Sequence, residues 1–381
     1  QAANFGKIRL QTQLDPLSNA MLQTRTGSVP DPKVYYSKTE VFEGEDRQEL
    51  PILPVGSPEA KEEYDDLTSS KKGEIVDNID EWTPWSAPYE DFFGDLLSPG
   101  NRQYVQFRLL FSSDDARQSA LVDSFSFDYA IPTLAAEITA EVTPATVTLG
   151  ESNTFDYYIR SNFDAANAGF DQVQIRTPFK ATVQAVELDG VPIAFSEIDT
   201  EKENSLAIEL TNDRVTVSGQ VLRITFDALV TVYGTTFFAK VFDSQTGELG
   251  QDVVPGDATP SAEANRLSIQ GALRQELVLE LKANPPVFTP NGDGINDELQ
   301  VSYILLRALV QVPIDVTLYD LSGRSIRRLQ NNGALNGPQQ LLWDGKNEDG
   351  VMAPPGIYLL RLSIDTDTGS ENRTLLVGLA Y

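Results

Sequence analysis

Three groups of residues in this chain are of types and spacings that could do chemistry. In Thr289-Pro290-Asn291-Gly292-Asp293-Gly294-Ile295-Asn296-Asp297, the side chains of Asn291, Asp293 and Asp297 are hard oxygen donors, and Gly294 permits the sharp turn of a calcium loop. Thr289 stands where an EF-hand-like loop wants its first Asp, and Gln300 where the bidentate Glu belongs. A loop closed by its own Asx turns is therefore the first expectation, and calcium the alternative. The second group is aromatic: Trp82, Trp85 and Tyr89, with Phe92 and Phe93 just beyond. Such rings either fill a sandwich core or offer flat platforms on which sugars stack, and core packing is the expected use. The third is the acid pair Glu81 and Asp91, flanking those aromatics. Paired carboxylates can hydrolyse glycosides unaided, but a chain this acidic places some pair near a tryptophan by chance.

Other chemistries are closed by composition. The chain has no His and no Cys, which removes the usual general base, every Ser-His-Asp or Cys-His pairing, thiolate metal sites and disulfides. The formal net charge is -27, from 29 basic and 56 acidic residues, so nucleic acid and anionic membranes would be repelled. Residues 1–132 carry 12 basic and 23 acidic residues, 133–281 carry 9 and 22, and 282–381 carry 8 and 11. Acids concentrate between Glu59 and Asp66, where Glu62, Glu63, Asp65 and Asp66 could attract cations; a solvated loop is the expectation. No apolar run approaches the ~18 residues of a membrane helix. The chain opens at Gln1, which reads as the start of a processed, exported form.

The elements that must position these groups are strands. Val105, Phe107, Leu109 and Phe111 alternate with polar residues, as do Phe125, Phe127 and Tyr129, and Ser112-Ser113-Asp114-Asp115-Ala116-Arg117 joins the two runs. Lys7 to Gln13 is a further alternating strand, followed by a long polar stretch and a proline-studded acidic excursion from Glu40 to Asp66. Pro132 marks a boundary. Beyond it, seven or more short strands at regular spacing predict an immunoglobulin-like sandwich, closed by a last strand at Leu277 to Leu281. A third unit opens at Pro285-Pro286, with strands expected at 299–305, 314–319, 325–329, 340–343, 356–364 and 374–379. The expected architecture is all-β: three tandem sandwiches over 1–132, 133–281 and 282–381, on Pro-containing joints.

The third unit carries four ordered motifs: Val287 to Glu298, then Val316-Thr317-Leu318-Tyr319-Asp320-Leu321-Ser322-Gly323-Arg324, then Leu342-Trp343-Asp344-Gly345, then Pro355-Gly356-Ile357-Tyr358. Together they resemble the immunoglobulin-like domain of the flagellar hook-capping protein, and the C-terminal domains of type IX secretion and gliding-motility proteins. Physically the motifs are mostly architecture: Asp-capped turns with glycine at positive φ, and a tryptophan between sheets. The first unit more loosely resembles jelly-roll modules of exported surface proteins, best over Ser98 to Arg108 and Val122 to Phe125.

The resemblance implies a protein at the outer membrane or outside a Gram-negative cell, working as a structural or adhesive component without catalysis. Its partners would be other surface proteins, further copies of itself, or polysaccharide. A carbohydrate-binding accessory region of a larger secreted enzyme is the alternative of a different class. The presence of the C-terminal unit favours a structural role for it over a discarded label.

Overall fold

The computed structural model describes residues 2–37, 58–247, 249–262, 264–272, 276–308, 310–330, 332–366 and 369–381. The part of the acidic excursion at 40–57 lies outside them. Strands dominate, as the alternation demands, and the chain is all-β. The α-helix among the described residues, Pro58–Asp66, falls where the sequence suggested a solvated loop. Its one apolar anchor is Tyr64, buried against Tyr35 at 5.3 Å with its hydroxyl donating to the Gly73 carbonyl, while Glu62, Glu63, Asp65 and Asp66 face solvent.

In the first segment, Asn4–Leu14 pairs with Ala120–Ala130, and Ser18–Gly27 pairs with Tyr104–Ser113. The turn-rich link at 114–119 therefore does not fold its two strands onto each other. It carries the chain from one sheet to the other, and the two sheets enclose Ile8, Leu10, Leu22 and Tyr89. The segment 82–96 then runs along one side of this sandwich. Its amides at Thr83, Ser86 and Tyr89 donate to Thr26, Thr24 and Leu22, and its 92–96 end bonds Leu10 and Gly6.

The middle segment is a full sandwich. One sheet runs in the order Val191–Pro192, Thr182–Leu188, Val221–Leu229, Ser152–Asn162, Glu137–Thr143, Val254–Pro255. The other runs Phe195–Ile198, Ser205–Leu210, Gln172–Arg176, Ala239–Phe242, Gln251–Asp252. Strict alternation, as in Val221–Leu229, sends Leu222, Ile224, Phe226 and Ala228 inward. There Phe237 meets Phe155 and Phe226 edge to face at 5.0 and 5.4 Å, and Phe155 and Phe226 lie tilted to each other at 5.7 Å. The Tyr157 hydroxyl donates to the Phe237 carbonyl at 3.1 Å, and burial pushes its pKa up.

The strand read as the last of this unit belongs elsewhere. Val278–Asn284 pairs with Leu299–Leu305, which pairs in turn with Gly337–Trp343, so it is the first strand of the C-terminal sandwich. The facing sheet has the order Val287–Phe288, Gly369–Leu379, Gly356–Thr366, Val312–Asp320, Ser325–Gln330. Every strand expected from sequence in this unit is present, several of them longer than expected.

The joints are packed. At the first, the Asn4 side chain donates to the carbonyls of Leu249 and Gly250 at 2.8 and 2.7 Å, Asn101 donates to Ala136, and Lys240 lies 3.9 Å from Asp95. At the second, Leu306 joins the core of the middle sandwich, Asn336 bonds Thr231, and Phe179 sits where a Cβ on Gly337 would be. The strand Ser152–Asn162 connects the two ends. Asn162 pairs with Glu137 near the first joint, and Ser152 with Leu229 near the second. Eleven residues separate the joints by roughly 35 Å, so the three sandwiches follow one another end to end.

Candidate functional site

The loop Thr289–Asp297 is locked by its own side chains. Asp297 accepts the amides of Gly292 and Gly294, one on each oxygen, both at 2.7 Å. Asn291 Oδ1 accepts the Asp293 amide and Asp293 Oδ1 accepts the Ile295 amide, at 2.9 and 2.8 Å. The Asn291 side-chain amide donates to Asp293 Oδ2 at 3.1 Å. Gly292 and Gly294 stand at φ 81° and 84°, and Asn296 at 57°, conformations open to glycine and tolerated by asparagine. Asn291, Asp293 and Asp297 are thus brought together, and their oxygens organise the loop backbone in the arrangement of successive Asx turns. Among the described residues, no three acidic side chains form a cluster suited to a metal ion.

The other motif residues of this unit are likewise structural. Asp320 accepts the Ser322 hydroxyl at 2.6 Å and the amides of Ser322 and Arg324 at 3.0 Å, and these bonds, led by the hydroxyl, hold its carboxyl below the usual range. Gly323 completes the turn at φ 86°. Trp343, 1% exposed, packs against Phe288 and Tyr358 at 5.1 and 5.3 Å and donates its indole N–H to the Lys346 carbonyl. Each motif that made the sequence recognisable builds this sandwich.

The aromatic group is not a stacking platform as a set. Trp82 is 3% exposed, lies over Gly27 and donates its indole N–H to the Val29 carbonyl at 2.9 Å. Tyr89 is buried between the sheets, its hydroxyl 3.0 Å from Thr24 Oγ1 and accepting the Leu97 amide at 2.7 Å; burial pushes its pKa up. Trp85 is half-buried, with the Arg25 and Arg108 guanidiniums over its ring at 4.6 and 4.4 Å. The sugar-stacking reading of Trp82 and Tyr89 is corrected by burial, because a stacked ring must show a face to solvent. Glu81 engages its neighbours through its backbone, with Asn78 and Ser28, and Asp91 is exposed; no contact among the described residues links their carboxylates.

Two polar clusters escaped the sequence reading. Glu141 is 0% exposed; Oε1 accepts the amides of Ala258 and Thr259 at 3.0 and 2.9 Å, and Oε2 that of Asn265 at 3.0 Å. One carboxylate thus shapes the whole 258–265 loop. Arg214 bridges Asp171 and Asp243 at 3.1 and 2.8 Å, and its hydrogen bond holds the Asp243 carboxyl below the usual range. A lone Glu on an alternating strand, and two acids and a base 29 or more residues apart, give no local signal.

Comparison with known proteins singles out the C-terminal unit. Residues 282–377 match the CHU_C type IX secretion signal domain. No curated protein matches the chain. Among solved structures, dimeric latent PorU from Porphyromonas gingivalis aligns over 99% of this chain at 13% identity, with a TM-score of 0.25. This chain spans 34% of that one, about a third of its length. The D00-D0 domain of intimin aligns over 64% of this chain and all of its own, at 10% identity and a TM-score of 0.20. The C-terminal domain of the Streptococcus agalactiae polypeptide BspA does so over 64% and 100%, at 9% identity and 0.24. The fold assignment rests on the strand pairings themselves. In the C-terminal unit, sequence motifs, sandwich and family match coincide: residues 282–377 are a type IX secretion signal domain, and the chain is exported to the surface or exterior of a Gram-negative cell.

Proposed function

We propose that the chain is a non-catalytic structural or adhesive component of the cell surface, acting by docking into a larger assembly. The observation that carries this reading is the end-to-end series of sandwiches with packed joints. The Arg307 amide donates to the Thr231 carbonyl, Leu279 lies at Gly150, and the Asn4 side chain donates to the Leu249 and Gly250 carbonyls, so each unit is held against the next. Such a series transmits position and force along its length and presents faces and strand edges to partners. The buried aromatics and self-capped acids described above are accounted for by folding, which supports binding through surfaces over chemistry at a cleft.

Light scattering on protein released from the cell surface tests the reading. The expected result is a mass several times that of a single released chain, sized separately under denaturing conditions. A particle of one chain, unchanged at high concentration and with its native surroundings preserved, would contradict it.

A further inference from the structure

The N-terminal sandwich is closed on one side and open on the other. On the closed side, segment 82–96 hydrogen-bonds along Ser18–Gly27 and Asn4–Leu14. On the opposite side stand Tyr104–Ser113 and Ala120–Ala130, each paired along one edge; among the described residues nothing pairs with the other. The side chains tell the same story. Ile8, Leu10 and Leu22, on the closed side, are buried. Phe107, Leu109, Val122, Phe125 and Phe127, directed into the same interior from the open side, are half-buried, as are Phe92 and Leu96 at the end of the covering segment, and Phe111 is 53% exposed. Phe107 touches Phe125 and Phe127 at 4.5 and 5.1 Å, so the interior along this side is a row of rings with one flank uncovered.

We propose that this open side receives an extended strand from a partner protein, apolar at alternate positions and basic at the others. The proposal rests on the reading of the chain as a component that works by docking. Two long strands with edges that no other described residue pairs offer rows of backbone donors and acceptors, which another extended backbone can satisfy as a row in place of water. Exposed edges of 10 and 11 residues accommodate a strand of about ten residues, or roughly 33 Å. The half-covered phenylalanines call for apolar side chains at every second position of that strand, since alternate residues point to the same face. Its outward residues meet a net acidic surface: Asp114 is exposed at the end of the open side, Asp115 lies 3.7 Å from Arg117, Asp123 accepts from Gln13, and residues 1–132 carry 23 acids against 12 bases. Basic side chains complement that field.

The test is amide hydrogen exchange on the full chain, alone and with an excess of the synthetic peptide Lys-Val-Thr-Val-Lys-Phe-Thr-Val-Lys. The expected result is rapid exchange at the outer amides of 104–113 and 120–130 in the free chain, slowed about tenfold or more by the peptide. The same peptide with Glu for Lys, or the variant Phe111→Asp, is expected to weaken binding about tenfold or more. Phe111 is half in solvent already; should that variant fail to fold, Tyr129→Lys, on the open-side strand Ala120–Ala130, at 61% exposure and 6.1 Å from the Phe127 ring, takes its place. Edges protected in the free monomer would show that the chain covers them itself. Protection that rises with protein concentration would show a second copy there, and unaltered exchange with peptide would show no strand site. Each overturns the proposal. A large native assembly whose edges remain unprotected would also overturn this placement while leaving the docking reading intact.

Discussion

Replacing Glu141 tests whether one buried carboxylate organises a loop of the middle sandwich. Its two oxygens accept three backbone amides, from Ala258, Thr259 and Asn265, at 2.9 to 3.0 Å. In Glu141→Gln, one amide oxygen can still accept the Ala258 and Thr259 donors. The new side-chain NH2 faces the Asn265 amide, donor against donor, so one part-buried bond is lost at an exposed residue, and the cost falls at the low end of that for a buried donor. An unsatisfied buried donor costs about 1–3 kcal/mol. In Glu141→Ala all three are orphaned, and the cost rises to about 3 kcal/mol or more. Asn265, at φ 48°, is expected to relax first. The middle sandwich holds none of the tryptophans Trp82, Trp85 and Trp343, so fluorescence would miss the event. Hydrogen exchange at Ala258, Thr259 and Asn265 would read it, with Ala speeding exchange well beyond Gln. Equal rates in both variants, within about 0.5 kcal/mol of the parent, would refute the reasoning.

Trp82→Ala should destabilise the first sandwich by about 3–5 kcal/mol, read as an early fluorescence transition of Trp85; a loss under 1 kcal/mol would mean the ring is not core. Asp243 is held low by Arg214, so its contribution is present above its ordinary value of 3.8 and is lost as pH falls through the lower folded value. Asp243→Asn should therefore flatten the acid limb of the stability curve below about pH 4, and an unchanged limb would contradict this. Gly337→Ala adds a Cβ about 2.3 Å from the Phe179 ring at φ 113°, and should separate unfolding of the second and third sandwiches in calorimetry. Calcium up to millimolar levels should leave the melting temperature unchanged, because the oxygens of Asp297 and Asp293 serve backbone amides; a rise of several degrees would restore the metal reading.

The C-terminal unit was the most legible part of the chain because its turns are written in Asp and Gly, and those fix where strands stop. The strand Ser18–Gly27 was not legible. Its inward positions include Thr24 and Thr26, buried because their hydroxyls reach Ser98 and the Pro99 carbonyl at 2.7 and 2.8 Å. Arg25 is buried beside Trp82 and Trp85, so the run looks polar throughout. Val278–Asn284 was assigned to the wrong sheet because alternation reveals a strand and not its neighbour. The partners of Glu141 lie 117 to 124 residues away, and no spacing rule anticipates them. Of the candidate site, the Asx geometry of Asn291, Asp293 and Asp297 was readable from local spacing. The burial of Trp82 was decided by a glycine 55 positions earlier.

Cross-linking on intact cells, followed by sizing of the linked products, tests most directly the proposal that this exported chain docks into an assembly. Cross-linked species larger than one chain are expected, with links from residues near the open side of the N-terminal sandwich. Recovery of the protein only as unlinked single chains, at full surface abundance, would contradict it.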